Sequence, residues 1–364
     1  MPRSKDKTIN NLTVSTPRQI DLFEIFDNQT ADNRYSNTIE LYDALPKYNW
    51  SAKREFHDLQ EAEITRTANL RGRDYKIVIK PAILNKRGKS VLIYPGTREE
   101  VVEDALRKFA VSGQGQMLED NAGVTFTINQ LRIELKSMGH TYDHAEIKEA
   151  IMVCRGATIE CYGDNDQTLI SSNFFPMIGL TTRQKYLNSQ DDTRCYVMFN
   201  PMVTKSIMDL SFRQYNYKLG MEIPSPLARF IYKRMSHYWT QASAILPYTP
   251  SLVSFLRQSP RQLSDDMYSN TRAMTNALKV LIKHKVISHY EEELVRKVRK
   301  ILDVRYKIYP HENFVKMVKA ANFHANRVKE QAAIFELKTE LKKKRTSTKR
   351  LAIEQDPNPN PVDM

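Results

Sequence analysis

The chain has 364 residues, 41% hydrophobic and 27% charged, a balance that suits a folded protein of about two domains and excludes a largely disordered one. No apolar run approaches the roughly 20 residues of a membrane helix, and the opening MPRSKDKTIN lacks a signal peptide's apolar stretch. A cytoplasmic protein without membrane contact is expected, and the three cysteines, which form no Cys-x-x-Cys pair, are expected to be reduced structural thiols. The net charge of +13 is one-sided: residues 1–200 carry 26 Lys+Arg against 27 Asp+Glu, and residues 201–364 carry 29 against 15. A cationic half of this kind suits a polyanion, because each neutralised phosphate releases condensed counterions.

Residues 1–35 are polar apart from one island, Gln19-Ile20-Asp21-Leu22-Phe23-Glu24-Ile25-Phe26, and are expected to be a mobile arm. Two β-rich runs, Tyr75 to Leu84 and Val91 to Tyr94, flank a turn-like Asn85 to Ser90. Thr97 is expected to cap a helix through about Val111. A strand at Val124 to Thr127 leads into a helix with Ile128, Leu131, Leu135 and Met138 on one face, ended by Gly139. A second helix over Asp143 to Arg155 buries Ile147, Ala150, Ile151 and Cys154, and Thr158 to Tyr162 and Thr168 to Phe174 then read as a hairpin. Helix, turn, helix, hairpin is winged-helix order.

The second half repeats that order without repeating its residues. A helix from near Pro224 carries Leu227, Ile231, Met235, Tyr238 and Ala242, and is followed by a short helix from Thr249 to Arg257 and a longer one from Asp265 to His284. Val286 to Tyr290 and Leu302 to Tyr309 read as strands joined by a charged tip, Glu291 to Lys300. From Glu312 a helix is expected to pack Phe314, Val318, Ala321, Ala325, Val328, Ala332 and Phe335 back onto the domain, with a disordered basic tail at 344–364. The expected fold is therefore α+β: winged-helix domains at 36–205 and 206–310, a helix at 311–343, and flexible ends.

In a helix-turn-helix the second helix enters the major groove, so its outer face must carry cations or amides while its inner face stays apolar. Tyr268 to Lys285 has four basic residues and no acid. Met274, Leu278, Leu281 and Ile282 are expected inward, with Arg272, Asn276, Lys279 and Lys283 on one outer stripe. Asn270, Arg272, Thr275 and Asn276 are the expected base readers, and Lys279 and Lys283 the phosphate contacts. At the hairpin tip Arg296, Lys297, Arg299 and Lys300 suit phosphates, and Arg229, Lys233 and Arg234 are weaker candidates. The matching helix of the first half carries Asp143, Glu146 and Glu149 against Lys148 and Arg155, which suits protein contact, with self-association foremost and DNA backbone contact as the alternative.

No catalytic pattern accompanies these features. Gly88-Lys89-Ser90 ends like a phosphate-binding loop, but position 83, where that motif requires Gly, is Ile83. His140 and His144 lack a third ligand, and the eight histidines include no His-x-His to hold a metal beside a nucleophilic Tyr. A binding protein without metal or cofactor is expected, not an enzyme.

The blocks Ile39-Glu40-Leu41-Tyr42-Asp43-Ala44-Leu45-Pro46-Lys47-Tyr48, Glu103-Asp104-Ala105-Leu106-Arg107-Lys108, Asn200-Pro201-Met202-Val203-Thr204-Lys205-Ser206-Ile207, and Ser225-Pro226-Leu227-Ala228-Arg229 through Ser243 resemble those of theta-type plasmid replication initiators. The resemblance spans about residues 36–310. It implies two winged helices, the second reading repeated double-stranded origin sites (iterons) and the first dimerising. It also implies monomers as the active form, opening an AT-rich region with the host initiator DnaA and recruiting the replicative helicase, and dimers that repress the initiator's own gene. In that setting Gln19, Leu22 and Phe23 fit the short pattern by which replication proteins dock on the sliding clamp, as well as they fit a small helix on the first domain. A winged-helix transcriptional repressor without initiator activity is the alternative reading.

Overall fold

A computed structural model describes residues 35–51, 55–56, 63–70, 73–118, 121–163, 169–180, 194–210, 212–298 and 300–354. The chain enters through β1 (Tyr35–Ile39), α1 (Glu40–Ala44), β2 (Glu55–Phe56), β3 (Ile64–Leu70) and β4 (Arg73–Lys80). Pro81, which has no N–H for a ladder, divides the expected Tyr75 to Leu84 strand: β5 (Ala82–Lys86) leaves the sheet of β4 and pairs with β6 (Lys89–Ile93). The β5–β6 turn falls on Arg87 and Gly88, both with positive φ (53° and 79°), as a two-residue hairpin requires.

Next comes α2 (Thr97–Phe109), the central helix of the molecule, buried on all sides from Glu99 to Phe109. Its cap is Gly96 rather than Thr97, and the Gly96 N–H donates to the Glu99 carboxylate at 2.8 Å. After β7 (Gly115–Leu118) and β8 (Asn121–Phe126), α3 (Ile128–Ser137) and α4 (His144–Gly156) form the first helix-turn-helix. Both helices begin with capping boxes, Thr127 with Gln130 and Asp143 with Glu146, as their sequences specify. Gly156 is fixed by packing, since a Cβ there would lie 2.8 Å from that of Ala82. Strands β9 (Thr158–Tyr162) and β10 (Leu169–Asn173) make the expected hairpin, extended by β4 and β3 into the order β10-β9-β4-β3. Strands β11 (Ile178–Gly179) and β12 (Cys195–Met198) continue a second sheet, β11-β12-β8-β7.

Helix α5 (Pro201–Met208) leads to β13 (Phe212–Asn216), which pairs antiparallel with β1 and so joins the two halves. After the short α6 (Tyr217–Glu222), the helix expected from near Pro224 is α7 (Pro226–Tyr238), capped by Ser225 with Pro226 in its first turn, and it ends at Tyr238, before the expected Ala242. Then follow α8 (Leu252–Arg257), α9 (Met267–Lys283), β14 (Ile287–Lys297), β15 (Lys300–Pro310) and α10 (Glu312–Glu354). Isolated bridges Tyr248↔Ile308 and Ser251↔Arg305 hold the segment before α8 against β15, alongside the two-stranded wing of the second winged helix. The architecture is α+β with two winged helices in tandem.

Helix α10 packs Phe314, Val318, Ala321 and Val328 back onto the chain, with the Phe314 ring 5.8 Å from Trp239 and 6.3 Å from Tyr232. Ala325 and Ala332 are half-buried. The helix continues to Glu354, past the Lys343 at which the sequence reading ended it. No helix among the described residues is long and apolar enough to cross a membrane.

Charges on the central helix are matched from both halves. Arg107 binds Asp43 through two hydrogen bonds of 2.6 and 2.8 Å, while Glu100 accepts from Trp50 Nε1 at 3.0 Å and Glu103 from the Tyr48 hydroxyl. Burial alone would raise the Asp43 pKa, but the Arg107 guanidinium and its hydrogen bonds outweigh it and hold the carboxyl well below the usual range. Stability from this pair is therefore present above the unfolded carboxyl pKa of about 3.9 and is lost as pH falls toward the depressed folded value. Asp43→Asn should lower stability at neutral pH and flatten its decline below about pH 4, measured by denaturant unfolding at stepped pH.

All three thiols are buried, and burial pushes Cys161 up to about 11 and Cys154 well above the ordinary value. Native protein should resist an aromatic disulfide reagent that titrates all three in denaturant; rapid reaction of any one in the native state would contradict this burial.

Candidate nucleic-acid interface

The Asp266 carboxylate accepts hydrogen bonds from the backbone N–H groups of Tyr268 (3.0 Å) and Ser269 (3.1 Å), fixing the start of α9. Asn270, Met274, Ala277, Leu278 and Leu281 are buried on the inner face. The outer face presents Tyr268, Arg272, Asn276, Lys279 and Lys283, all exposed. Among the described residues none of Arg272, Lys279 and Lys283 takes part in an ion pair, so this stripe meets solvent with its charge unspent. Ile282, expected inward, is 38% exposed, and Ala277 takes the inner place.

Two of the four expected base readers are turned elsewhere. Asn270 is fully buried: its Oδ1 accepts from Ser264 N (3.1 Å), Ser264 Oγ (3.0 Å) and Arg261 Nη1 (2.9 Å), and its Nδ2 donates to Ser264 O (2.6 Å). It ties the preceding loop to the helix and is unavailable to a base. Asn270→Ala should cost about 1–3 kcal/mol in denaturant unfolding by leaving these groups unpaired, and a variant as stable as wild type would contradict the assignment. The Thr275 hydroxyl donates to Glu292 at 3.3 Å, so this residue faces the wing instead of the groove side. Arg272 and Asn276 keep the outward placement that edge reading requires.

The wing is longer than expected. The charged stretch 291–297 is strand rather than tip, paired down to Lys297↔Lys300 with a register shift between Val295 (opposite Asp303) and Arg296 (opposite Ile301). Val304, Tyr306 and Ile308 of β15 bury its inner face, whereas Glu291, Glu292 and Glu293 are exposed on β14, and Lys307 lies 3.6 Å from Glu291. Arg296, Lys297 and Lys300 are exposed at the far end. Charge thus runs from acidic near the body to cationic at the tip. Arg299 and the clamp-like residues Gln19, Leu22 and Phe23 lie outside the described residues.

The weaker candidates on α7 belong to the junction between the halves. Arg229 is 2% exposed and lies 4.0 Å from Glu100; Lys233 pairs with Asp104 and lies 3.7 Å from Glu100. Arg234 donates to Gln258 and lies over the rings of Tyr238 and Phe255. None of the three is presented to a phosphate. In the first winged helix, Glu149 of α4 is held by Lys86 (3.2 Å) and Arg98 (2.8 Å), which lower its pKa against the opposing effect of burial.

Sequence reasoning passed over Tyr268 and Glu292. Tyr268 is 75% exposed and lies four residues before Arg272, so extending the stripe by one turn reveals it. Glu292 reaches Thr275 from another element, which no local pattern encodes. Among the described residues no group of three His, Cys, Asp or Glu is placed to hold a metal.

No protein-family model matches the chain, and no curated protein sequence matches it. Among solved structures, domains 2 and 3 of RctB align at a TM-score of 0.44 and 9% identity over 74% of this chain and 96% of that one. A second structure of the same RctB domains gives 0.43 and 10% over 75% and 98%. The Pi initiator protein in complex with iteron DNA gives 0.39 and 14% over 59% and 91%.

Proposed function

We propose that this protein is a replication initiator that binds repeated origin sites in duplex DNA through its second winged helix, without enzymatic activity of its own. The observation that carries this reading is the outer face of α9, where Arg272, Asn276, Lys279 and Lys283 stand exposed on a helix whose inner face is packed, beside a wing tipped with Arg296, Lys297 and Lys300. Arg272 is suited to a guanine edge and Asn276 to an adenine edge, while Lys279, Lys283 and the tip cations hold the backbone. The first winged helix serves protein contacts, self-association foremost, because its second helix sets Lys148 and Arg155 against Asp143, Glu146 and Glu149 and offers no comparable cationic stripe. The monomer is the form that opens the origin with the host initiator ATPase and recruits the helicase. The dimer represses the protein's own gene, and the segment at Gln19, Leu22 and Phe23 docks on the sliding clamp.

A footprint on the DNA flanking the protein's own gene tests this. Protection at regular intervals over direct repeats is expected. A single protected palindrome, together with plasmid maintenance that survives loss of the gene, would replace the initiator with a repressor.

A further inference from the structure

The wing ends in a residue that suits neither its backbone nor its surroundings. Strands β14 and β15 close between the paired Lys297 and Lys300. Val298, the first residue of this two-residue turn, has φ 57° and is 91% exposed. A turn of that length takes positive φ and ordinarily carries Asn or Gly; a β-branched side chain in the left-handed region crowds its own backbone. Its methyl groups also meet water with no packing in return. Arg296, Lys297 and Lys300 are exposed around it, and the nearest buried residue of β15 is Val304, so the tip stands clear of the core.

Cations alone would serve a phosphate contact, and Asn or Gly at position 298 would make the turn without strain. An exposed apolar group in a strained position, ringed by positive charge, instead fits a site that is apolar inside and anionic at its rim. The minor groove of duplex DNA is such a site: its walls carry phosphates, A·T-rich stretches deepen its negative potential, and apolar side chains entering between base steps unstack them. We propose that the wing tip is a minor-groove wedge, in which Arg296, Lys297 and Lys300 hold the flanking phosphates while Val298 enters an A·T-rich step and partly unstacks it. The inference rests on the duplex-binding reading above and adds to it a means of deforming the duplex.

The test uses the full chain and duplexes of roughly 200 base pairs cut from the DNA flanking its own gene, long enough to report a bend by circular permutation. Permanganate oxidation of unstacked thymines is read on the same fragments. Val298→Asn removes the apolar group and suits the turn, whereas Val298→Leu keeps an apolar tip. Both variants should bind within about twofold of wild type, because the cations remain. Val298→Leu should retain thymine oxidation and bending; Val298→Asn should lose roughly fivefold or more of the oxidation and bend the fragment less. Undiminished oxidation and bending by Val298→Asn would overturn the wedge while leaving duplex binding in place, as would wild-type binding with neither effect. Failure of the wild type to bind any fragment would overturn the DNA-binding reading, and the wedge with it.

Discussion

Asp104→Ala should destabilise the protein by about 3–5 kcal/mol, the range for removing one partner of a buried ion pair. Asp104 is 6% exposed on the central helix and pairs with Lys233 of α7, joining the two halves of the chain. Burial opposes the Lys233 charge, yet Asp104, Glu100 and Asp43 around it raise its pKa above the ordinary lysine value, so the amine stays charged and needs its partners. Glu100, 3.7 Å away, would keep part of the compensation and draw the loss toward the lower end of the range. Lys233→Met in the same chain should recover much of the loss, because an apolar group then fills space where an unpaired ammonium would remain. Urea unfolding midpoints with unchanged slopes give the comparison. A single variant within about 1 kcal/mol of wild type would mean the junction does not depend on this pair.

Arg272→Ala should weaken binding to the footprinted site by about 1–3 kcal/mol and relax preference at one base pair, while leaving fold stability nearly unchanged. Arg272 is exposed on α9 among no ion pairs of the described residues, so removing it leaves no buried group behind. Lys297→Ala, at the wing end, should instead weaken every duplex alike and reduce the salt dependence of binding by about one counterion. Titrations against the footprinted site and a scrambled duplex, each at several salt concentrations, separate the two roles.

Much of this arrangement was legible in the sequence because it follows local periodicity. The capping boxes at Thr127 and Asp143, the apolar stripe of α9 and the strand alternation at Val304, Tyr306 and Ile308 each involve residues a few positions apart. Asn270 was misplaced by its polarity. It lies four residues before Met274 and eight before Leu278, on the inner face by spacing alone, and only its hydrogen bonds to Ser264 and Arg261 make an amide tolerable there. Pro81 already marked the division of the strand at Tyr75 to Leu84. The charges at Arg229 and Lys233 could not be placed locally, since their partners lie on α2, more than a hundred residues earlier, and a basic helix face reads the same whether it meets carboxylates or phosphates. The pairing of β1 with β13 is equally long-range. Closure of the wing between Lys297 and Lys300 was hidden because Val298 is not a turn residue by composition.

Under the proposed function, the outward side chains of α9 select the DNA sequence. The most direct test is the ratio of affinities for the footprinted site and a scrambled duplex at one fixed salt concentration, measured for wild type and for a chain carrying both Arg272→Ala and Asn276→Ala. The double substitution should bring this ratio close to one while binding to the scrambled duplex persists through Lys279, Lys283 and the wing. An unchanged ratio in a properly folded double variant would contradict selection by α9.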